Sequence, residues 1–393
     1  MRRTSGPFGH PNPVRRGSIY VAHFDQAAFG DAGSVRVLRV WARSFRNLAP
    51  LDLAPGPRLN VVFGDNGQGK SNLLEAIHLA LSLASFRGAG ASELIAHHDV
   101  SATLALEMNG TPLTRTLKMR LDREKARQLA IDGKRPRTRL AWLDVAQAVL
   151  FHPGDLALAQ GSPENRRSLL DRVLSEVDPI YGTTLDAYQR ALRSRNRLLK
   201  ADVVDRRAVA AFDPILASSG AVLGQARERL VGELAPIAEQ VFDEVVGEEL
   251  PLAISFAPRV EATESVLREA LARSLDKDLA RGFTAEGPHA DDVKLEVARR
   301  GAKHNASQGQ HRALVLALKV AEVHVIARAK GRMPVLLLDD VSSELDLTRS
   351  ARLYALLSRL GGQTFLTTTR RELIVTEGER IDLRVEAGRV TVC

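Results

Sequence analysis

A chain of 393 residues, 45% apolar and 26% charged, has room for two or three packed domains and the composition of a soluble globular protein. A net charge of +8 and a pI near 9.9 favour an anionic partner such as nucleic acid or nucleotide. The single cysteine, Cys393, excludes a disulfide scaffold and a multi-cysteine zinc site; no apolar run approaches the ~18 residues of a membrane span, so the cytoplasm is the expected compartment and no membrane contact is expected.

Residues 1–34 mix Pro, Gly, Arg and Ser without periodicity. They read as a disordered basic extension or as the product of a start placed too early, with Val35 and Val37 as alternatives. From Val35, VRVLRVWARSF alternates as a strand does, and RLNVVFG is a short buried strand ending in glycine. SNLLEAIHLALSLASF follows as a helix with Leu73, Ile77, Ala80 and Ala84 on one face. Residues 102–131 read as strands, with Asp132-Gly133 as a hairpin turn. Pro163 to about Leu275 is mainly helical, broken by turns at Asp178-Pro179 and Pro251. A strand at 293–298, a helix at 310–329, a strand at 335–338, a helix at 348–360 and a strand at 363–367 complete the pattern. The expected fold is α/β, a head made from residues 35–160 and 281–393 with a mainly helical domain inserted at 161–280.

GDNGQGKSN, residues Gly64, Asp65, Asn66, Gly67, Gln68, Gly69, Lys70, Ser71 and Asn72, matches G-x-x-x-x-G-K-[ST] between a strand and a helix. Glycines let backbone N–H groups converge on phosphate oxygens, and the helix N-terminus adds positive potential. Lys70 is placed to reach the β- and γ-phosphates of ATP, and Ser71 to ligate Mg²⁺. PVLLLDDVSSELD supplies the complement: a buried strand with Asp339 and Asp340 at its C-terminal edge. Asp339 is the expected metal ligand and Asp340 the expected general base; solvated acids at a strand end are the competing reading.

Ser307, Gln308, Gly309 and Gln310 stand directly before a long apolar-periodic helix, more polar groups than one cap needs. Ser307 Oγ and the free N–H groups there suit a γ-phosphate. Beside a phosphate loop in the same chain, a second anion-binding terminus points to a site completed by another subunit; a plain capped helix is the alternative.

These motifs agree in order, and the chain resembles the ABC-type ATPases of DNA repair, most closely the RecF family, over residues 35–393. LRVWARSFRNLAPLDLAPGPRLNVVFGDNGQGKSNLLEAI, FHPGDLALAQGSPENRRSLLD, YQRALRSRNRLLK, GFTAEGPHADD, SQGQHRALVLALK, LLLDDVSSELD and QTFLTTT carry the resemblance. It implies an ABC-type P-loop head in which Ser307 to Gln310 are the signature that meets the nucleotide of a second subunit, so that ATP drives a homodimer. It also implies a D-loop at 342–346 with Asp346 near the dimer seam, and the catalytic role for Asp340 where most ABC proteins place Glu. The family usually reads Gly-Pro-His-Arg-Asp-Asp where this chain has Ala290 in place of Arg, and Ser-Pro-Glu-Asp where His152 and Gly154 stand in the region assigned to the Q-loop. Thr368 stands near the place of the ABC switch histidine.

For DNA, residues 115–139 hold ten Lys/Arg against three acids, among them Arg120, Arg123, Lys125, Arg127, Lys134 and Arg135. Arg190, Arg193, Arg197 and Lys200 recur at helical spacing, with Tyr188, Leu192 and Leu199 on another face. Such groups contact phosphates without reading sequence; ordinary solvated charged faces are the alternative. The resulting reading is a slow, DNA-stimulated ATPase that binds duplex DNA near single-strand junctions. By family resemblance it works with RecR and RecO to help RecA replace single-strand-binding protein at gaps. A transport ATPase is disfavoured by the 269 positions between Lys70 and Asp339. An SMC- or Rad50-like structural protein would need a longer heptad arm. A hydrolysis-poor DNA-binding module stays open.

Overall fold

The structure is a computed structural model and describes residues 34–109, 113–246, 250–340, 351–352, 355–356, 359–374 and 378–393. Residues 1–33, most of the helix expected at 348–360, and the expected D-loop with Asp346 lie outside the described residues.

The chain opens with β1 (Val37–Arg43), β2 (Leu51–Leu53) and β3 (Leu59–Phe63), then helix α1 (Lys70–Ser82). Strands β4 (Ser101–Met108), β5 (Arg115–Asp122), β6 (Gln128–Ile131) and β7 (Ala148–Phe151) follow. Among the longer helices, α2 (Pro163–Val177), α3 (Pro179–Leu198) and α4 (Asp213–Val246) come next. Strand β8 (Leu252–Ala257), helix α5 (Glu264–Arg281) and strands β9 (Asp292–Val297) and β10 (Arg300–Gly301) lead to α6 (Gln308–Lys330). Strands β11 (Val335–Leu338), β12 (Thr364–Thr368), β13 (Arg380–Glu386) and β14 (Arg389–Val392) end the chain.

Residue pattern sorts these strands into sheets. In β4 the residues alternate strictly between buried and half-buried, as in an antiparallel sheet with one face on a core. It lies in a sheet of order β2-β1-β4-β5-β6 whose neighbours are all antiparallel. The other pattern is continuous: every residue of β7, β11 and β12 is buried. That is the pattern of parallel strands covered on both faces, and these strands lie in the sheet β14-β13-β3-β12-β11-β7, parallel from β13 to β7. Alternate residues feed two cores. Val61, Val149, Leu336, Leu338 and Leu366 join the helical side with α2, α4 and α6. Val62, Leu150, Val335, Leu337 and Phe365 face α1 and the antiparallel sheet.

Helix α1 is sandwiched between the sheets, which is why Leu73, Leu74, Ile77, Leu79 and Leu81 are all buried rather than forming one stripe. It ends at Ser82 with Leu83 in the left-handed region, so Ala84, expected on its apolar face, is outside the helix and exposed. Trp142, fully buried, donates its indole N–H to the Ala80 carbonyl at 2.9 Å.

The middle of the chain is less purely helical than its sequence suggests. After Pro251 the chain enters β8, which pairs antiparallel with β9 in a three-stranded sheet, β10-β9-β8. Leu252 and Ile254 bury one face of that short strand, an alternation too brief to stand out between two helices. At Asp178-Pro179 the chain starts helix α3: Asp178 Oδ1 accepts the Ile180 N–H at 2.9 Å and Pro179 occupies the first turn. The C-terminal hairpin β13–β14 is a further addition to the expected pattern, and it braces the site described next.

Two buried arginines lock the helices together. Arg195 of α3, fully buried, reaches Asp213 at 3.0 Å, Asp278 at 2.8 Å and Thr284 Oγ1 at 2.8 Å. Arg227 of α4 holds Asp171 of α2 at 2.9 Å and Asp291 at 3.3 Å. His289, in the block that departs from the family pattern, pairs with Tyr188 Oη at 2.6 Å, and Asp292 takes the Arg166 guanidinium at 2.7 Å, whereas Ala290 is exposed.

Candidate nucleotide site and DNA surface

Strand β3 delivers the loop 64–69 to the C-terminal edge of the parallel sheet, and α1 begins at Lys70. Gly64, Gly67 and Gly69 have φ of 151°, 78° and 115°, conformations that L side chains rarely adopt. Asp65, Asn66 and Gly67 form the exposed crest, and a Cβ on Gly67 would meet nothing within 4 Å, so the crest is open toward a ligand. Lys70 curls over the loop and donates to the Gly64 and Asp65 carbonyls, both at 2.8 Å. Burial pushes its pKa down, and the charges of Asp340, Asp339 and Asp65 oppose that shift.

The C-terminal hairpin supports this loop from below. Gln68 accepts the Gly388 N–H with its backbone carbonyl at 2.9 Å and the Ala387 N–H with Oε1 at 2.6 Å. Asn72 donates to Asn47 Oδ1 at 2.7 Å and accepts from Arg87 at 2.7 Å. The side chains of Gln68 and Asn72 therefore shape the loop, and their offer to a nucleotide is their backbone N–H. Glu75, one turn into α1 and fully buried, is held by Arg46 at 2.8 Å and Ser85 Oγ at 2.6 Å. Nothing in the spacing of the sequence marks Glu75; a carboxylate on a helix that turns out to be buried all round is the signal that needs the structure.

Gly64 is fixed by this packing. A Cβ there would stand 2.3 Å from the Val385 carbonyl oxygen of β13, on top of the φ penalty. Gly64→Ala is expected to cost at least about 2 kcal/mol of stability and to abolish binding of a fluorescent ATP analogue. An unchanged melting temperature with normal analogue binding would show that the loop and hairpin yield at no cost.

Asp339 and Asp340 follow β11, one strand removed from β3 across β12. Asp339 is 6% exposed and accepts from Thr367 Oγ1 at 2.9 Å, while the same Oγ1 accepts the Asp340 N–H at 2.8 Å. Asp340 sits at φ 52°, the left-handed region that Asp tolerates better than most residues. The residue that orders both acids is thus Thr367. Thr368, which stands near the place of the switch histidine, accepts the Arg370 N–H at 3.1 Å. On the other flank the Asp339 N–H donates to the Phe151 carbonyl at 2.8 Å, which brings His152 alongside. Burial lowers the His152 pKa, Asp155 and Asp339 oppose it, and its Nδ1 accepts the Gly154 N–H at 3.1 Å.

A magnesium ion fits this donor set. Among the described residues no cluster of three or more His, Cys, Asp or Glu could hold a metal alone. One buried carboxylate, Asp339, and one hydroxyl, Ser71, suit a hard cation that completes its shell with phosphate oxygens and water.

Ser307 caps α6 in a reciprocal box: its Oγ accepts the Gln310 N–H at 3.2 Å, and Gln310 Oε1 accepts the Ser307 N–H at 2.8 Å. Two of the four unusual residues thus have a capping role, while Ser307 and Gln308 remain exposed. His311 anchors the terminus: its Nε2 meets the Ala302 carbonyl at 2.9 Å and its Nδ1 meets Gln160 Nε2 at 2.9 Å. Among the described residues, no hydrogen bond or ion pair joins 307–310 to 64–72 within the chain.

Residues 36–390 match the family model described as RecF/RecN/SMC N terminal domain. A DNA replication and repair protein RecF from an Anaeromyxobacter species (strain Fw109-5) is 43% identical over 369 residues, spanning 91% of this chain and 99% of that relative. The chain belongs to the RecF family. The RecF of Myxococcus xanthus is 36% identical over 374 residues, 91% of this chain and 97% of its own. A solved structure of the recombination mediator protein RecF-ATPrS in the RecFOR pathway superposes with a TM-score of 0.83 at 29% identity, covering 92% of this chain and 98% of that one. An Smc head domain from Pyrococcus furiosus, 16% identical with a TM-score of 0.56, shares the fold alone. The RecF-family chain is therefore a DNA-binding ATPase with an α/β ABC-type head and helical insertions. Among the described residues no helix is long and apolar enough to cross a membrane.

For a RecF-family DNA surface the structure sorts the sequence candidates. Arg123 donates to the carbonyls of Asp99, Ser92, Ala96 and His97 at 2.9 to 3.4 Å, so it pins the segment before β4 and is not a free phosphate contact. Arg127 donates to the Leu83 carbonyl at the end of α1 at 2.5 Å. Arg120, Lys125, Lys134 and Arg135 form no ion pair among the described residues. Arg190, Arg193 and Arg197 of α3 and Lys200 just past its end are all exposed, while Tyr188 and the capping Leu199 are buried.

Proposed function

We propose that this chain is an ATP-gated DNA-binding switch. ATP held by residues 64–72 of one copy is covered by Ser307 to Gln310 of a second, and the closed pair binds duplex DNA near single-strand junctions. Asp340 acts as general base toward the attacking water, and Lys70 neutralises charge on the transferred phosphoryl group. Ser71 and Asp339 would hold Mg²⁺, which when bound supplies Lewis-acid stabilisation of phosphate charge. Hydrolysis to ADP and phosphate reopens the pair, slowly until DNA is bound. The family resemblance extends this to work with RecR and RecO, helping RecA replace single-strand-binding protein at gaps.

The observation that carries the reading is the division of the site: the phosphate loop, Asp339 and Asp340 converge in one chain, whereas the capped terminus of α6 stays exposed and unconnected to them. The test is oligomeric state by light scattering, with and without ATP and gapped duplex, for the wild type, Lys70→Met and Ser307→Arg. ATP is expected to dimerise the wild type, and both variants are expected to stay monomeric. A wild type that stays monomeric with ATP and DNA, or a Ser307→Arg variant that dimerises normally, removes the second copy from the mechanism.

A further inference from the structure

The arm that follows the Asp132-Gly133 turn folds back beside β5 and β6 and leaves an open groove of about 1120 Å³. Lys118 and Arg120 of β5, Lys125 of the turn after it, and Arg135, Arg137 and Arg139 of the arm all line it. The described lining residues include these six cations and Arg127, and not one Asp or Glu. Arg115, on the same strand, shows the contrast: outside the groove it is neutralised by Asp132 at 2.6 Å. Burial, and then the charge of Arg139, push the Arg127 pKa down. Such a concentration of like charge repels itself and attracts a polyanion.

The lining also says which polyanion. Proteins that hold single strands supply aromatic faces on which bases stack. The described lining residues contain none: between the cations stand Leu83, Thr103, Ala126, Gln128, Leu129 and Ala130. Cations without stacking platforms track a phosphate backbone whose bases are paired to each other.

We propose that the groove between β5–β6 and residues 133–139 is where the phosphate backbone of duplex DNA is held. This rests on the switch reading above and makes the duplex, not the single strand, the primary ligand of this face. The groove reaches the C-terminal end of α1, the end opposite the phosphate loop, because Arg127 donates to the Leu83 carbonyl there. A backbone seated there bears on α1.

The test is fluorescence anisotropy of a labelled duplex, and of a single strand of equal length, on the full chain with ATP. Two neutralised variants are compared: Lys118→Gln with Arg120→Gln and Arg135→Gln, and Lys125→Gln with Arg137→Gln and Arg139→Gln. Each is checked for folding by its melting temperature. Removing one phosphate-binding cation is expected to reduce the slope of log K against log salt by about 0.9, so each triple variant should fall by about 2 to 3 in slope and bind roughly tenfold or more weakly at ~0.1 M salt. An equal neutralisation of Arg190, Arg193 and Arg197 on α3 serves as comparator. If the wild type fails to bind duplex, the switch reading itself falls. If it binds and both folded groove variants keep its slope, the groove does not hold the backbone and the switch reading stands without it. Tighter binding of single strand, or displacement of duplex by polyglutamate at equal charge, also overturns the proposal, the latter by making the occupant an acidic protein.

Discussion

Asp340→Asn is expected to slow ATP hydrolysis by about two to four orders of magnitude while a fluorescent ATP analogue binds as before. The substitution removes the proton acceptor and little else. Asn tolerates the left-handed region as Asp does, so the backbone at φ 52° and the Asp340 N–H to Thr367 Oγ1 bond are both kept. Single-turnover phosphate release measures the rate, and analogue titration measures the binding. Retained binding with lost turnover also gives a long-lived closed pair on DNA, visible by light scattering. A rate reduced less than about tenfold would move the base elsewhere, and His152, held beside Asp339 by the strand pairing of Phe151, is the next group to replace.

Arg195→Met is expected to destabilise the chain by about 3–5 kcal/mol, the usual result of removing one member of a buried ionic set. Arg195 is fully buried and reaches Asp213, Asp278 and Thr284, which joins α3 to the start of α4 and the end of α5. Without the guanidinium, Asp278, itself fully buried, loses its ion-pair partner, and Asp213, whose pKa burial raises against the opposing charge of Arg195, loses that opposition. A carboxyl with a raised folded pKa binds its proton more tightly when folded, so the deficit shrinks as pH falls and grows as pH rises toward neutrality. Urea melts at two pH values test this, with Arg195→Met plus Asp278→Asn expected to recover part of the loss. A single variant within about 1 kcal/mol of the wild type would mean that water reaches Asp278.

These two residues mark the division between what the sequence shows and what it conceals. The place of Asp340 at a strand end was legible because it depends on local context: a run of apolar residues ending in two acids, in a chain that also carries a phosphate loop. Arg195 was not, because it lies among Arg190, Arg193, Arg197 and Lys200 and looks like one more solvated cation. Its position on the helix puts it on the packed side, and only the approach of α4 and α5 supplies its carboxylates. Arg123 teaches the converse. Counted with the basic ribbon, it spends its donors on four carbonyls that sequence places 24 to 31 positions away.

The sequence by itself determined the α/β class, the phosphate loop, the acids at the end of β11 and the start of α6, since each is written within one continuous stretch. Backbone freedom of glycine, apolar periodicity and capping act over a few residues. Only the tertiary structure decided that Thr367 orders the two acids, that β13 and Gly388 brace Gln68, and that Lys118 and Arg120 share a groove with Arg135 to Arg139. Those relations join segments from different parts of the chain. Side-chain pairing depends on which strands and helices become neighbours, and the pattern of any one segment does not carry that information.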